Sequence, residues 1–515
     1  MKHFIIIDGG TQNIKAFIFN ENGVEVLGKV HPVVPYFSTS PDFAEQDMEA
    51  YVAILKKITK ELIEESGIDK KEFSGVAITT HRSTIVPVDM EGRAIRPAIT
   101  WLDERKVKGL TLPGGIYSLM FLLTGMRYTL NEYQRRSKFN WLKVNDPENY
   151  KKTYKFLTTS SFIFHALTGE FKDCYSMIVG LFPIDLKRLQ WHGMKVIYDI
   201  FGVERERLPD LVGPTEIAGY VGKSGSLEFG IPEGLPVFIC AGDKQLELLG
   251  AGGIYEDIAE ISYGTAAVIE IYTEKYITHP KMDFFTWGAG IPHKWTLEGF
   301  VGKGYWMVSW FLNEFCKHEM KIATDSGVAP EDLLDMELSK VPPGSMGLML
   351  QPYWSPFVYD PKSRGAIVGF SSVHTRAHVY RAIVEGIGFE LRRLKEVIES
   401  YSKKKVKEIR VGGGGSRSND ILQITADLFN LPVKRMHTEN LAALGAAIDL
   451  TVGMGIYKDF EEAVHNMVRE KDVFLPNPEN VKIYDQLFRD VYLKIYPALS
   501  PLYHRVSDIT AYPGG

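Results

Sequence analysis

The sequence is poor in three features that each define a large class of proteins: cysteine, charge of one sign, and long apolar runs. Only three cysteines occur among 515 residues, and they are too few and too far apart for a disulfide framework or a zinc site. A formal net charge of −5 argues against nucleic acid or an anionic membrane surface as the main partner. No run of about 18 uncharged apolar residues occurs, so no membrane-spanning helix is predicted.

The beginning of the chain carries no basic leader with a cleavage site. Together with the scarcity of cysteine, this pattern predicts a cytoplasmic protein. The apolar content of 45% and charged content of 24% are typical of a globular chain. Because 515 residues exceed what one hydrophobic core organises, we expect two large domains.

The stretch that organises the chain is an N-terminal hairpin. An apolar strand ends at Asp8, turns through Gly9, Gly10 and Thr11, and returns as a second strand carrying Lys15. Bare glycines let backbone N–H groups approach an anion, and the threonine adds a hydroxyl group. A carboxylate at a strand end can hold Mg²⁺ through water, which makes Asp8 a candidate metal ligand. The alternative interpretation is an ordinary hairpin turn.

Two further stretches favour the phosphate-binding interpretation. A second copy of the turn, Ser262-Tyr263-Gly264-Thr265-Ala266, follows the apolar strand 257–261 about half a chain later. Four successive glycines, 412–415, and the polar residues up to Asn419 stand between a predicted strand and a predicted helix, 420–429. There a flat ligand can lie against bare backbone, and the helix N-terminus favours negative charge. These patterns predict a two-lobed nucleotide-binding protein.

Polar side chains at other strand ends are candidate acceptor-binding residues, because ligands of α/β domains bind at strand ends. Arg82 follows the strand 75–79, and its alternative is a surface arginine. Trp101 is a sugar platform or a core residue, and Asp103 binds hydroxyl groups or caps a helix. Asp243 follows the buried strand 236–241 and opens a helix, where it is a catalytic group or an N-cap.

Taken in order, these motifs resemble the FGGY family of carbohydrate kinases, within the actin, sugar-kinase and Hsp70 superfamily. The resemblance extends from residue 4 to about 455. It is carried by Asp8-Gly9-Gly10-Thr11, Phe43-Ala44-Glu45-Gln46-Asp47, the segment 98–105, Ala241-Gly242-Asp243-Lys244-Gln245, Ser262-Tyr263-Gly264-Thr265, the segment 374–386 and Gly413-Gly414-Gly415-Ser416-Arg417.

The resemblance implies two ribonuclease-H-like, actin-like α/β domains, with Mg²⁺, ATP and a sugar meeting in a cleft between them. Asp243 is then the general base, and Asp8 and Asp243 are the metal-binding residues. The implied substrate-binding residues are Arg82, Trp101, Asp103, Tyr133, Asp243 and Lys244. The implied nucleotide-binding residues are Gly10, Thr11, Gln12, Lys15, Gly264, Thr265, Gly413, Gly414, Gly415 and Asn419.

The expected domain limits are 1–252 for the sugar-binding and catalytic domain, 253–457 for the nucleotide-binding domain, and 458–515 for a helical extension packed on them. The expected partner is a small sugar or polyol rather than nucleic acid or membrane. A homodimer is also among the expectations, because members of this family are often dimers.

The motifs do not identify which sugar or polyol is the phosphate acceptor. Arg82, Trp101, Tyr133 and Asp243 fall where glycerol kinases place substrate residues, but Ser83 replaces their glutamate and Lys244 their polar amide. Xylulose kinases carry Gln-Met-His-Gly where this chain has His81-Arg82-Ser83-Thr84. The chain also resembles bacterial autoinducer kinases, which phosphorylate a linear dihydroxy-ketone hydrate. This resemblance is carried by Arg82, Asp243-Lys244-Gln245-Leu246, the segments 310–316 and 341–345, and the C-terminal tail.

Two alternatives to a sugar kinase come from the same superfamily. One is an ATPase in which the nucleotide drives conformational change, as in chaperones and cytoskeletal proteins. The other is a degenerate sugar-sensing homologue. Arg82, Trp101 and Asp243 argue against the first, and the intact Asp8, Thr11 and Asp243 argue against the second.

Overall fold

The computed structural model describes residues 1–33, 36–40, 42–123, 126–355 and 360–512. The chain forms two compact units. The first comprises Met1–Gly250, Trp287–Trp295 and Asn440–Met467, and the second comprises Ala251–Thr286, Thr296–Glu439 and Val468–Gly515. The α/β fold class predicted from the sequence is confirmed, whereas the domain limits at 252 and 457 stay a prediction.

The strands alternate with helices along most of the chain. The strands are β1 (His3–Gly9), β2 (Asn13–Asn20), β3 (Glu25–Pro32), β4 (Glu45–Gln46), β5 (Phe73–Thr80), β6 (Val86–Val88), β7 (Ala98–Ile99), β8 (Lys155–Leu157), β9 (Lys172–Cys174), β10 (Ile184–Asp185), β11 (Gln190–Trp191), β12 (Asp210–Val212), β13 (Gly219–Tyr220), β14 (Pro236–Ile239), β15 (Ile258–Tyr263), β16 (Ala267–Thr273), β17 (Phe284–Gly288), β18 (Trp295–Val301), β19 (Met349–Gln351), β20 (Ala366–Val368), β21 (Glu408–Gly412), β22 (Val433–Met436) and β23 (Glu470–Phe474).

The helices range from two turns to more than seven. They are α1 (Met48–Ser66), α2 (Ile116–Leu123), α3 (Arg127–Arg136), α4 (Lys138–Asn145), α5 (Pro147–Lys152), α6 (Thr159–Thr168), α7 (Lys195–Phe201), α8 (Lys223–Phe229), α9 (Asp243–Gly250), α10 (Trp306–Phe315), α11 (Lys317–Ser326), α12 (Pro330–Leu338), α13 (Arg376–Ser402), α14 (Asn419–Phe429), α15 (Leu441–Gly453), α16 (Phe460–Met467), α17 (Pro478–Gln486) and α18 (Leu493–Thr510). No helix in the described ranges is long and apolar enough to cross a membrane.

The first unit is built on a six-stranded sheet in the order β13-β14-β5-β1-β2-β3. Strand β1 pairs antiparallel with β2 and parallel with β5, and β5 pairs parallel with β14. Strand β1 is buried along its whole length, which explains its continuous apolar sequence. Because β1, β5 and β14 run in the same direction, their carboxyl ends lie at one edge of the sheet.

The second unit repeats this arrangement in a seven-stranded sheet, β17-β18-β16-β15-β21-β22-β23. Strand β15 pairs antiparallel with β16 and parallel with β21, and β21 pairs parallel with β22. The final strand, β23, pairs antiparallel with β22, as β13 does with β14. The two sheets thus share a common order around β1 and β15, as two ribonuclease-H-like domains are expected to do.

Local sequence signals account for the helix that packs beside the first hairpin. The side chain of Asp47 accepts hydrogen bonds from the N–H groups of Glu49 and Ala50 and caps α1. The helix ends at Gly67 in the left-handed conformation, with φ of 65°, a backbone region that glycine adopts without strain. Its buried face includes Tyr51 and Leu55.

Helices α9 and α15 pack with almost no space between them. A Cβ atom on Gly445 would lie 2.2 Å from the carbonyl oxygen of Leu246, and one on Gly250 would lie 1.9 Å from that of Leu441. Only glycine fits at these two crossings. Helix α15 therefore fixes α9, the helix that begins at Asp243.

The last part of the chain is less purely helical than the extension predicted from residue 458 onwards. Helices α17 and α18 are present, but β23 joins the sheet of the second unit, and α16 belongs to the first unit. Residues 470–474 carry charged side chains next to apolar ones, and pairing with β22 decides their conformation.

Candidate active site

Three segments meet at the carboxyl edge of the first sheet. They are the turn after β1 with Asp8 and Gly10, the segment after β5 with Arg82, and the segment after β14 with Asp243. Parallel pairing of β1 with β5 and of β5 with β14 brings these strand ends side by side. This edge is where ligands bind in α/β sheets.

Asp243 and Arg82 form the centre of this cluster. The guanidinium Nε of Arg82 lies 3.7 Å from Oδ1 of Asp243, and both side chains are largely buried. Nη1 of Arg82 also donates a hydrogen bond of 3.2 Å to Oε1 of Gln245, whose amide nitrogen donates to the carbonyl oxygen of Ser176 at 3.0 Å. Gln245 thereby fixes the arginine beside the carboxylate.

Asp243 lies one residue inside α9 rather than at the N-cap position. Asp243 is the first residue of α9, and the preceding carbonyl, that of Gly242, already accepts the N–H of Leu246 at 3.1 Å. Oδ1 of Asp243 accepts the N–H of Lys244 at 2.9 Å. The carboxylate is held at the helix start, where the helix dipole favours negative charge.

Asp8 is paired with Lys15 across the hairpin. Their charged atoms, Oδ2 and Nζ, are 3.3 Å apart, because the two residues are directly opposite in the β1–β2 register. Burial raises the pKa of Asp8, and the nearby charges of Asp243 and Glu247 raise it further, whereas Lys15 lowers it. A cation between these carboxylates would relieve that repulsion.

The turn after β1 is fixed by hydrogen bonds from three sides. The N–H of Gly10 donates to the carbonyl oxygen of Asn13 at 3.0 Å, and the hydroxyl of Tyr51 donates to the carbonyl oxygen of Gly10 at 2.9 Å. The indole Nε1 of Trp101 donates to Oγ1 of Thr11 at 2.8 Å. Because this oxygen accepts the indole, the Thr11 hydroxyl keeps its own proton to donate to a ligand.

Trp101 and Asp103 belong to the segment after β7, which pairs with β4. Asp103 has a fully buried side chain that pairs with Arg105 at 2.6 Å and accepts the N–H of Ala44 at 2.7 Å. The guanidinium of Arg105 stacks on the ring of Phe43 at 3.8 Å. These contacts engage the carboxylate of Asp103, and its role as an acceptor contact stays a prediction.

The remaining predicted residues of the first unit lie at the margins of the cluster. Lys244 forms an ion pair of 2.7 Å with Glu247 on the same face of α9. Tyr133, on α3, stacks on Phe201 with ring centroids 6.2 Å apart, and burial raises its pKa. Gln12 is exposed at the hairpin turn. Their ligand-binding roles stay predictions.

In the second unit, the turn between β15 and β16 contains Gly264 and Thr265. Their carbonyl oxygens accept the N–H groups of Tyr305 and Trp306, each at 3.1 Å, so the turn is fixed against the start of α10. Thr265 is exposed and Gly264 half-exposed. The turn stands at the same place in its sheet as Gly10 and Thr11 do in theirs.

Two of the glycines after β21 are required by close packing against other parts of the protein. Gly413 has a φ of +76°, and a Cβ atom there would lie 2.6 Å from the carbonyl oxygen of Tyr263. At Gly415 it would lie 2.7 Å from the ring of Tyr305. At Gly414 the nearest atom would be 3.8 Å away, which leaves room for a ligand. Exposed Asn419, at the start of α14, accepts a hydrogen bond from Arg435.

The donor set of the first unit suits Mg²⁺ of the kind that accompanies nucleotide phosphates. Among the residues described, no group of three or more His, Cys, Asp or Glu side chains is arranged to hold a metal ion by itself. Mg²⁺ in kinases is held by one or two carboxylates, with phosphate oxygens and water completing the octahedron. Asp8 and Asp243 are carboxylates of this kind.

Three residues of the cluster were not among those predicted from the sequence. The ring Nδ1 of His81 lies 3.0 Å from the carbonyl oxygen of Gly9, and burial lowers its pKa. The charge of Glu247 raises the pKa of Asp8. Lys138 donates hydrogen bonds to backbone carbonyl oxygens in the segments after β5 and β7. The spacing of Asp243 and Glu247, four residues apart on one helix, is a sequence signal that could have found Glu247.

Known proteins resemble this chain along its whole length. It is 30% identical over 492 residues to an uncharacterised sugar kinase of Escherichia coli, YgcE, and the alignment covers 95% of this chain and 92% of that protein. It is 28% identical over 516 residues to a xylulose kinase of Lactococcus lactis, with 99% of both chains covered. The crystal structure of gluconate kinase from Lactobacillus acidophilus superposes with a TM-score of 0.82 at 23% identity, covering 98% of this chain and 100% of that one, which shows a shared fold.

Family models match both halves of the chain. Residues 3–250 match the N-terminal domain of the FGGY family of carbohydrate kinases, and residues 259–454 match the C-terminal domain of the same family. The two matched ranges contain the β1–β2 and β15–β16 turns, respectively. The chain therefore belongs to the FGGY family and is a carbohydrate kinase, as its motifs predicted.

Proposed function

We propose that this kinase transfers the γ-phosphoryl group of Mg²⁺-bound ATP to a hydroxyl group of a small sugar, ketose or polyol, with Asp243 as the general base. One observation carries the proposal: the carboxylate of Asp243, at the start of the helix that follows β14, lies 3.7 Å from the guanidinium of Arg82. A carboxylate that accepts a proton and a cation that orients hydroxyl groups are what an acceptor site requires.

In the proposed reaction, the acceptor hydroxyl gives its proton to the carboxylate of Asp243 as its oxygen attacks the γ-phosphorus. A bond forms between this oxygen and phosphorus while the bond to the bridging oxygen of the β-phosphate breaks, and the electron pair leaves with ADP. No covalent enzyme intermediate is needed, because phosphoryl transfer depends on position and charge. The proton is released from Asp243 after product departure.

Arg82 and Gln245 act on the acceptor side. The guanidinium of Arg82 bonds to Gln245 at 3.2 Å, and this bond holds it near Asp243. A guanidinium group presents several N–H donors in one plane, which suits vicinal hydroxyl or carbonyl oxygens of a sugar. Trp101, fixed by its bond to Thr11, offers an apolar ring face to the C–H groups of the acceptor.

Asp8 and Asp243 would hold Mg²⁺, which when bound neutralises charge on the transferring phosphoryl group. The support is the raised pKa of Asp8, caused by burial and by the charges of Asp243 and Glu247. Lys15, 3.3 Å from Asp8, opposes this rise in the pKa of Asp8 and adds a positive charge to the turn.

The nucleotide residues are proposed in both units. Gly10, Thr11, Gln12 and Lys15 would bind phosphate oxygens from the first unit, and Gly264 and Thr265 from the second. Gly413, Gly414, Gly415 and Asn419 would lie by the adenosine. The support is that both turns end equivalent strands, and that the backbone at Gly414 is open.

The test is a coupled ADP-release assay with Mg²⁺ and ATP across xylulose, gluconate, glycerol and the dihydroxy-ketone of autoinducer kinases. A single compound that raises ADP release well above background would support the proposal and identify the acceptor. Acceptor-independent ATP turnover would instead indicate a conformational ATPase. No turnover with any compound would favour a silent sensor.

The variant Asp243→Asn tests the general base separately from the other residues of the site. We expect binding of ATP to persist and kcat to fall by at least ~10²-fold, a typical loss when a general base is removed. Asp210→Asn, which changes an exposed carboxylate on β12 with 78% side-chain exposure, is the matched control and should retain kcat. Wild-type kcat in Asp243→Asn would remove this residue from the mechanism.

A further inference from the structure

A buried lysine lies directly behind the acceptor residues. Lys138 is 7% exposed, although lysine is among the residues least often buried. Its Nζ atom donates hydrogen bonds to the carbonyl oxygens of Ser83 at 2.5 Å and Thr100 at 2.7 Å, with that of Ile99 at 3.5 Å. An ammonium group has three N–H donors, and three backbone oxygens surround this one.

The two shorter bonds join the two segments that carry the proposed acceptor contacts. Ser83 immediately follows Arg82, and Thr100 immediately precedes Trp101. These segments follow different strands, β5 and β7. The ammonium of Lys138 therefore holds the peptide next to the arginine and the peptide next to the tryptophan at a fixed separation.

The segment at Ser83 has a conformation that needs external support. Ser83 has a φ of 62°, in the left-handed region that costs a non-glycine residue energy unless its surroundings impose it. Its hydroxyl donates to the carbonyl oxygen of Val179 at 3.1 Å, and its own carbonyl oxygen accepts from Lys138. These two bonds hold the residue that sets the direction of Arg82.

The lysine itself is held by a rigid neighbourhood. It is the first residue of α4, after the N-cap Ser137, whose hydroxyl donates to the carbonyl oxygen of Phe201 at 2.5 Å. The amide of Asn140 donates to the carbonyl oxygen of Ile200 at 2.7 Å, and Phe139 is fully buried in the core. The base of the lysine side chain thus cannot move without disturbing packed groups.

We propose that Lys138 is a positioning residue for the acceptor site, which fixes Arg82 and Trp101 relative to each other through the backbone. It acts through these two residues and does not touch the acceptor. The inference rests on the proposed function, because it takes Arg82 and Trp101 to be acceptor contacts. Lys138, which is not among the site residues predicted from the sequence, would thus affect catalysis.

The surroundings of Lys138 act on its protonation in opposite directions. Burial lowers the pKa of Lys138 to about 7, with Asp103 raising it and Arg105 lowering it. Lys138 in turn lowers the pKa of His81. The carbonyl dipoles point their negative ends at Nζ, so the protonated form makes the stronger bonds.

Lys138→Met tests the proposal, because methionine nearly keeps the length and apolar stem of the side chain and removes every N–H donor. Lys155→Met is the matched control, since the Nζ of Lys155 also donates to two backbone carbonyls, those of Glu206 at 2.7 Å and Leu208 at 3.0 Å, outside the acceptor segments. The compounds used are xylulose, gluconate and glycerol.

We expect kcat/KM for the acceptor to fall ~10²-fold in Lys138→Met, the cost of a misplacement of about 1 Å. KM for ATP should change less than about two-fold, and Lys155→Met should keep both constants. An unchanged kcat/KM for the acceptor, or an equal loss for acceptor and ATP, would overturn the proposal.

Hydrogen–deuterium exchange gives a readout that does not need catalysis. Amide exchange in peptides that cover residues 80–85 and 98–103 should increase at least ~10-fold in Lys138→Met and stay unchanged in Lys155→Met. If no compound is phosphorylated by the wild type, the proposed function fails while exchange still decides the role of Lys138. Unchanged exchange in both peptides would refute that role. Lys138→Leu, which also lacks N–H donors and has a shorter stem, replaces Lys138→Met if the latter does not fold.

Discussion

Arg82 contacts both the carboxylate of Asp243 and the amide of Gln245. Replacing it by alanine removes the proposed donors to the acceptor and leaves the hairpin turn of Gly10 and Thr11 in place. We expect Arg82→Ala to raise KM for the acceptor at least ~10-fold, because hydrogen bonds to charged groups contribute about 1.5–3 kcal/mol, and to leave KM for ATP unchanged. Steady-state kinetics with each substrate varied in turn measures both constants.

The control for this change is Arg188→Ala, since Arg188 has 72% side-chain exposure and pairs only weakly with Asp185, at 3.8 Å. It should match the wild type in both constants. A rise in KM for ATP in Arg82→Ala, with the acceptor constant unchanged, would place Arg82 on the nucleotide side and contradict the assignment.

At the scale of elements, the junction between β14 and α9 contains a glycine that leaves space for the side chain of Arg82. A Cβ atom at Gly242 would lie 2.4 Å from Cδ and 2.5 Å from Cγ of Arg82, although the backbone there has no positive φ. Gly242→Ala should therefore displace the flexible arginine and raise KM for the acceptor at least ~10-fold, with a change in Tm of only a few degrees. Kinetics and thermal melts measure these two effects.

Gly193→Ala is the control for the added methyl group, because a Cβ atom there meets nothing within 4 Å and φ is not positive. This variant should match the wild type in KM and Tm. If Gly242→Ala instead lowers Tm strongly and keeps KM, the glycine serves folding rather than the orientation of Arg82.

At the scale of the whole molecule, Lys138 links stability to pH. Its pKa is about 7 in the folded chain and ~10.4 in an unfolded one. Between these values the unfolded chain binds one proton more, so the stability contributed by this group is complete above the higher value and is lost as pH falls to about 7, at up to ~1.4 kcal/mol per pH unit. The charged or titratable groups around it are Asp103, Arg105 and His81.

Lys138→Met lacks this titration. The Tm of the wild type should therefore rise relative to that of Lys138→Met between pH 7 and pH 9, and the difference should be constant below pH 6. Thermal melts of the two proteins over this range provide the measurement. Parallel pH profiles would show that Lys138 keeps its proton throughout.

Many features of the two units can be predicted from short stretches of the sequence. The apolar strands at 3–9 and 258–263, the turns after them and the glycines at 412–415 are all readable in the sequence, because strand burial and bare backbone impose residue types at adjacent positions. Asp8, Arg82 and Asp243 could be predicted because each lies at or shortly after the carboxyl end of a buried strand. The motif order then indicated the family.

What the sequence by itself determined is therefore the class of fold, the family and the strand-end residues. Only the tertiary structure decided that the carboxylate of Asp103 is occupied by Arg105, that Gly242 makes room for Arg82, and that Lys138 binds the carbonyl oxygens of Ser83 and Thr100. The contacts of Gly242 and of Lys138 join segments far apart in the chain, and no periodicity or spacing records a bond made through a distant backbone carbonyl.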